Sequence, residues 1–366
     1  MEKIIIFKGP AYNQHSMTST LASLLYRSGV ESVELLPLIN GMVCRLPQRL
    51  TEQQVAATPE VLALEDNVPV KLPPHRMERG WPFGGVPSKG RQVIPWGVER
   101  VGAAKVWPQT KGERVRVAVL DSGIDLGHPD LANNIKGGIN ILNPAQGPMD
   151  ENGHGTHVAG TIAAEDNNSG VVGIAPMTEL YGVKILNRDG EGTLAGIIKG
   201  LQCCIANRMS VANLSVGTNK SSTALRMAVQ RAYHAGLVIV SAAGNEGTAN
   251  SITYPAAYPE VVTVGAIDQQ YQLASFSSWG PELTVVAPGS GIYSTYLDGS
   301  YVRLSGTSMA APHVTGLTAL LLKINPQLSQ ARIIELLKNS SIKLPHLTGE
   351  EQGFGLVNAQ NLISNL

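Results

Sequence analysis

Val115-Arg-Val-Ala-Val-Leu-Asp-Ser-Gly-Ile-Asp125 begins as an almost unbroken aliphatic run and stops at an aspartate followed by Ser-Gly. A run of that kind, closed by turn residues, predicts a strand buried on both faces, as in a parallel sheet. Similar runs lie at 180–186, 211–214, 237–242, 261–264 and 283–287. Residues 192–207 and 222–235, between them, have helical spacing. This alternation predicts an α/β fold, a mostly parallel sheet with helices on both faces. In such sheets ligand-contacting groups collect at the carboxyl ends of strands, and Asp121 is the first polar residue after one.

Composition agrees with that architecture. Of 366 residues, 43% are apolar but only 5% aromatic, so the core must be built from Ala, Val, Ile and Leu. Twenty-eight basic residues balance 28 acidic ones, which gives no ground for a nucleic-acid partner. Three cysteines, Cys44, Cys203 and Cys204, are odd in number and two are adjacent, so no disulfide framework is written. The apolar run at Ile4-Ile-Ile-Phe7 is too short for a signal segment or a membrane span. The expectations are no membrane partner and a cytoplasmic rather than secreted location.

Upstream of the main pattern, residues 3–8, 33–38, 41–46 and 61–70 read as strands and 16–26 as a helix. Asn40-Gly41 marks a hairpin, and Thr51 is an N-cap for a further helix. Residues 1–70 thus form a small α+β unit. Residues 71–91 carry four prolines and four glycines with little periodicity and read as a linker, leaving 92–366 as the main domain.

Two more motifs stand beside Asp121-Ser-Gly-Ile-Asp: Asn152-Gly-His-Gly-Thr-His-Val-Ala-Gly and Gly306-Thr-Ser-Met-Ala-Ala-Pro-His. One aspartate after a strand is more often a turn residue, one histidine among glycines says little, and Gly-Thr-Ser is common turn chemistry. Together and in order they supply an acid, an imidazole and a hydroxyl, the sequence Asp, His, Ser of one known serine-hydrolase arrangement. In that arrangement Asp121 orients His154, His154 takes the Ser308 proton, and Ser308 attacks a carbonyl.

These motifs resemble the subtilisin family of serine endopeptidases from about Gln92 to Val357. The resemblance implies a triad of Asp121, His154 and Ser308, with His128, His157 and His313 left as structural histidines. It also implies that Asn245, in Ser241-Ala-Ala-Gly-Asn-Glu-Gly247, donates to the oxyanion beside the backbone N–H of Ser308. Ser215, Val216 and Gly217 would pair with a peptide substrate, with Ala242, Ala243 and Gly244 as the opposite wall. Thr253 stands where the family usually has glycine at the base of the first pocket, and Glu246 lies at its rim. A shallower pocket that accepts small, aliphatic or basic side chains is expected.

For cofactors, the resemblance implies a structural calcium held by Gln92, Asp130, Asn167 and the carbonyls of Glu165, Ser169 and Val171, oxygen ligands that this ion accepts. Residues 1–70 resemble the ferredoxin-like inhibitory prodomain, so the chain is expected to be a self-processing zymogen acting on proteins or peptides, with its own prodomain as inhibitor. The alternatives are a catalytically silent binding protein and transfer of the acyl group to an amine.

Overall fold

The computed structural model describes residues 2–8, 31–48, 50–73, 76–77 and 92–366. The helix expected at 16–26 and most of the 71–91 stretch lie outside the described residues.

Four strands near the amino end, β1 (Glu2–Phe7), β2 (Glu31–Leu36), β3 (Gly41–Arg45) and β4 (Val61–Asp66), form an antiparallel sheet in the order β2-β3-β1-β4. The turn into β3 places Asn40 in the left-handed region (φ 54°), and Thr51 caps helix α1 (Glu52–Ala56) with a full capping box. Strand alternation divides β1 in two. Ile5 and Phe7 pack with Met42, Cys44, Val55 and Val61 within the unit, whereas Ile4 and Ile6 face the larger body, in one cluster with Ile197 and Leu201. Each such buried isoleucine contributes about 2 kcal/mol of apolar transfer. The run read as one strand at 61–70 breaks after Asp66, and Pro69–Lys71 (β5) leaves the small sheet to pair with a strand of the larger body. A two-residue strand, β6 (Arg76–Met77), follows.

After helix α2 (Trp96–Arg100) comes the sheet that positions the site. Its strands are β7 (Arg116–Asp121), β8 (Ile135–Asn140), β9 (Glu179–Lys184), β11 (Val211–Leu214), β12 (Val238–Ala242), β13 (Val262–Ile267) and β14 (Val285–Pro288). They run parallel in the order β14-β13-β12-β11-β7-β9-β8. Helices α3 (His154–Ala163) and α6 (Thr307–Ile324) pack on one face, and α4 (Leu194–Ala206) and α5 (Thr223–His234) on the other. The chain fills one side of β7 with β8 and β9 before crossing to β11, so β7 is the switch point of the topology. A crevice opens beyond the carboxyl ends of strands at such a point.

Strand β8 and the antiparallel hairpin β15 (Ile292–Thr295) and β16 (Tyr301–Ser305) were not read from the sequence, nor was β10 (Glu191–Thr193) just before α4. β6 joins that hairpin through β16. Helices α7 (Gln330–Ser340), α8 (Gly349–Gln352) and α9 (Ala359–Ser364) close the carboxyl end. Cys44 and Cys204 are fully buried, Cys203 is partly exposed, and all three are free thiols. Burial pushes the Cys44 thiol up to about 11 and raises that of Cys204 well above its ordinary range. Among the described residues no helix is long and apolar enough to cross a membrane.

Candidate active site

Asp121 ends β7 and is completely buried. Its Oδ1 accepts the Ser122 N–H at 2.7 Å and faces His154 Nδ1 at 2.8 Å, with Oδ2 at 3.0 Å from the same nitrogen. A carboxylate there makes Nδ1 the protonated ring nitrogen and turns Nε2 into the basic one. His154 is the first residue of α3, likewise buried. Two glycines make that helix start possible: Gly153 sits at φ 98°, and a Cβ on Gly155 would lie 2.1 Å from the Gly123 carbonyl.

Asp150 organises the same turn and was missed in the sequence. Its Oδ1 accepts the N–H groups of Asn152 and Gly153, and its Oδ2 accepts the N–H and hydroxyl of Thr156. The signal was only an acid ahead of Asn-Gly, indistinguishable from a common turn.

Ser308 is the second residue of α6, fully buried. The positive end of a helix dipole falls on its hydroxyl, where an anion is favoured. Four residues on, Pro312 has no N–H to give to the Ser308 carbonyl. The Ser215 hydroxyl donates to that carbonyl instead, at 3.3 Å, and Ser308 Oγ donates to the Ser215 carbonyl at 3.3 Å. Asn213 supports Ser215 from β11, donating to its Oγ while accepting from Thr315 of α6. Asn245 Oδ1 accepts both the N–H and the hydroxyl of Thr307, at 2.9 and 2.8 Å, so the amide nitrogen occupies the opposite side of the carboxamide.

Thr253 donates its N–H to the Ala243 carbonyl at 2.9 Å, and its Oγ1 lies 2.6 Å from where a Cβ on Gly217 would stand. Its side chain therefore lies between the segments 215–217 and 242–244. Glu246 is exposed, with its N–H on Ser278 Oγ. Of the expected structural histidines, His157 and His313 are held to the Ile292 and Met309 carbonyls, and His128 to that of Ser300.

A second wall of the cleft, not read from the sequence, is β10. β5 lies against it antiparallel, with Lys71 opposite Glu191, Val70 opposite Gly192 and Pro69 opposite Thr193. Lys71 is also bridged antiparallel to Gly217, and Leu72 donates to the Gly190 carbonyl at 3.0 Å. The tail of the amino-terminal unit thus runs between 190–193 and 217 as a middle strand. Glu65, at the end of the small sheet, accepts from Ser222 Oγ and from the N–H groups of Thr223 and Ala224 at the start of α5. Asn67 Oδ1 accepts the Ala195 N–H at the start of α4.

Away from the cleft, the Gln92 amide nitrogen lies 2.5 to 3.1 Å from the carbonyls of Glu165, Ser169 and Val171. Asp130 accepts from the Asn167 amide and the Val171 N–H. Burial raises the Asp130 carboxyl above its ordinary range, partly offset by these donors. The Glu165 carboxylate turns away to Asn133, leaving only its carbonyl in the group. Three carbonyls converge on an amide whose oxygen and nitrogen are interchangeable in placement. With the amide turned, the same groups present only oxygens, a donor set that suits a hard cation. Among the described residues no three His, Cys, Asp or Glu side chains converge on a point.

The model of the Subtilase family matches residues 112–356. Subtilisin DY of Bacillus licheniformis is 44% identical over 275 residues, covering 74% of this chain and 98% of its own. Subtilisin BL of Lederbergia lenta is 47% identical over 270 residues, 74% of this chain and 98% of its own. The M-protease of Shouchella clausii is 47% identical over 270 residues, 74% of this chain and 70% of its own. Such bacterial subtilisins are secreted enzymes, which overturns the expected cytoplasmic location. The apolar run on which that expectation rested is a core strand, with Ile4, Ile5 and Ile6 at zero exposure, and carries no information about targeting.

Proposed function

Because the chain belongs to the subtilase family, and is a serine endopeptidase made as a zymogen, we propose that Asp121, His154 and Ser308 are its triad. The observation that carries this reading is the buried 2.8 Å contact between Asp121 and His154, set at the carboxyl end of β7 and the amino end of α3. In the reaction, Ser308 Oγ turns from the Ser215 carbonyl to His154 Nε2, gives up its proton and attacks the scissile carbonyl carbon. The oxyanion is met by the Ser308 N–H and the Asn245 amide. His154 then protonates the leaving amine, and water, activated by the same imidazole, releases the acyl group as a carboxylate.

Substrates are proteins and peptides bound by main-chain pairing to Ser215, Val216 and Gly217, which tolerates varied sequences. Thr253, between that segment and Ala242, Ala243 and Gly244, narrows the first pocket and favours small, aliphatic or basic side chains over large aromatics. Gln92, Asp130, Asn167 and the carbonyls of Glu165, Ser169 and Val171 fit a calcium ion that stabilises the fold and takes no part in the chemistry. Residues 1–70 act as a ferredoxin-like inhibitory prodomain, supported by the tail lying in the cleft and by the helix starts held through Glu65 and Asn67.

Ser308→Ala is the test. It removes the nucleophile and no large core volume, so the fold persists, while peptide hydrolysis and labelling by a fluorophosphonate are both lost. Labelling that survives in this variant would place the nucleophile elsewhere.

A further inference from the structure

The register of the tail says which of its peptide bonds meets the nucleophile. Lys71 stands opposite Gly217 in an antiparallel bridge. Counting two residues along each strand in opposite directions brings Pro73 opposite Ser215. Ser215 is the residue whose carbonyl accepts the Ser308 hydroxyl and whose own hydroxyl donates to the Ser308 carbonyl. Continued at that register, the strand would offer Ser308 the carbonyl carbon of Pro73, whose peptide bond in the sequence leads to Pro74. Downstream, Arg76 pairs with Ser305 of β16, three residues before Ser308 in the sequence.

We propose that Pro73-Pro74 makes this tail a cleavage-resistant inhibitor of its own active site, and that the cut releasing the peptidase falls downstream of Pro74. The proposal rests on the triad assigned above. Opening a peptide bond here requires Ser308 Oγ to bond to the carbonyl carbon, its proton passing to His154. The leaving nitrogen must then take that proton as the C–N bond breaks, and water must finally release the carboxylate. In Pro73-Pro74 the leaving nitrogen belongs to a tertiary amide, with a ring carbon where an ordinary peptide nitrogen carries hydrogen. Pro73 itself has no N–H to give to the Ser215 carbonyl, and its ring holds φ near −65°, away from a regular strand. A slip by one residue does not restore cleavage. The Leu72-Pro73 bond again has a prolyl leaving group, and the Pro74-His75 bond again lacks the N–H that Ser215 would receive. Upstream, Val70, Lys71 and Leu72 keep their main-chain pairing, and Lys71 adds an ion pair with Glu191. The tail is thus bound like a substrate without being spent as one.

The full chain, its Pro73→Leu/Pro74→Ala variant, and the Ser308→Ala form of each are incubated over a tenfold range of concentration and followed by intact mass and amino-terminal sequencing. The double variant is expected to yield a fragment beginning at residue 74, about a hundredfold or more faster than that bond opens in the wild type and at a rate independent of concentration. The wild type is expected to yield a fragment beginning downstream of Pro74, at a rate that rises with concentration. Both Ser308→Ala forms stay whole. As a check independent of folding, synthetic peptides spanning residues 62–77 are added to processed enzyme. The native peptide should inhibit and remain intact, and the doubly substituted one should be cut between residues 73 and 74. A wild-type fragment beginning at Pro74, or a native peptide cut there as fast as its variant, overturns the inference while leaving the triad standing. Chains that neither cut themselves nor take a fluorophosphonate overturn the triad and the inference together.

Discussion

Asn245 is fixed through its oxygen, which takes two hydrogen bonds from Thr307, so the oxyanion role proposed for it rests on the nitrogen. Asn245→Ala is expected to lower kcat by about 10²–10³ with little change in KM, the cost known for removing this type of donor in a subtilisin. Steady-state kinetics on a short peptide check this, and a rise in KM as large as the fall in kcat would mean that the amide only holds Thr307. His313 gives a different signature. It lies buried in α6 with Nδ1 on the Met309 carbonyl, and burial lowers its pKa from 6.5 to about 4. A depressed histidine is neutral in the folded chain while the unfolded chain still takes up a proton, so its contribution is whole above pH 6.5 and lost as pH falls towards 4. The span is about 3 kcal/mol. Urea midpoints at pH 7.5 and 4.5 should differ less for His313→Gln than for the wild type. At this scale the candidate triad stood out because each proposed member sits in a long motif of turn-forming residues. Asp150 was not, since a carboxylate serving four donors within six residues looks in sequence like any acid before Asn-Gly.

Helix starts and strand ends carry the next level. Pro312 removes one rung of α6, and the Ser215 hydroxyl fills the vacancy, tying the helix that carries Ser308 to the segment just after β11. Glu65 serves α5 from outside its own sheet, with two N–H groups and a hydroxyl on one carboxylate. A cap of this kind is worth about 1 kcal/mol or somewhat more. Glu65→Ala in separately produced residues 1–77 should therefore weaken inhibition of processed enzyme by roughly tenfold. A titration of peptide hydrolysis measures it, and unchanged inhibition would reduce the contact to an incidental one. The strands of the large sheet were readable from their aliphatic runs. β8, Ile-Lys-Gly-Gly-Ile-Asn, was not, because an edge strand with two glycines has neither the run nor the alternation. β10 escaped notice because Glu-Gly-Thr becomes a strand only when β5 pairs with it.

For the whole molecule, the oxygen cluster around Gln92 joins the segment just before α2 to the loop after α3 and to Asp130. An ion bound there only in the folded state adds to global stability by mass action. Thorough exchange against a chelator should lower Tm, while the folded enzyme's peptide hydrolysis at moderate temperature stays nearly constant. A Tm that does not move counts against the site. The strands of the small amino-terminal sheet and of the large parallel sheet were legible from their own patterns, but the way the two sheets' elements share a core was not. That depends on the even-numbered face of β1 meeting α4, a contact between segments nearly two hundred residues apart. The three thiols turn this arrangement into a set of internal clocks. Cys203 meets reagent on the intact molecule, Cys44 only when the small unit's own core opens, and Cys204 only when the core that Ile4 and Ile6 share with α4 comes apart. A single alkylation time course on the native chain, resolved by peptide, would record which part of the molecule yields first without any introduced probe.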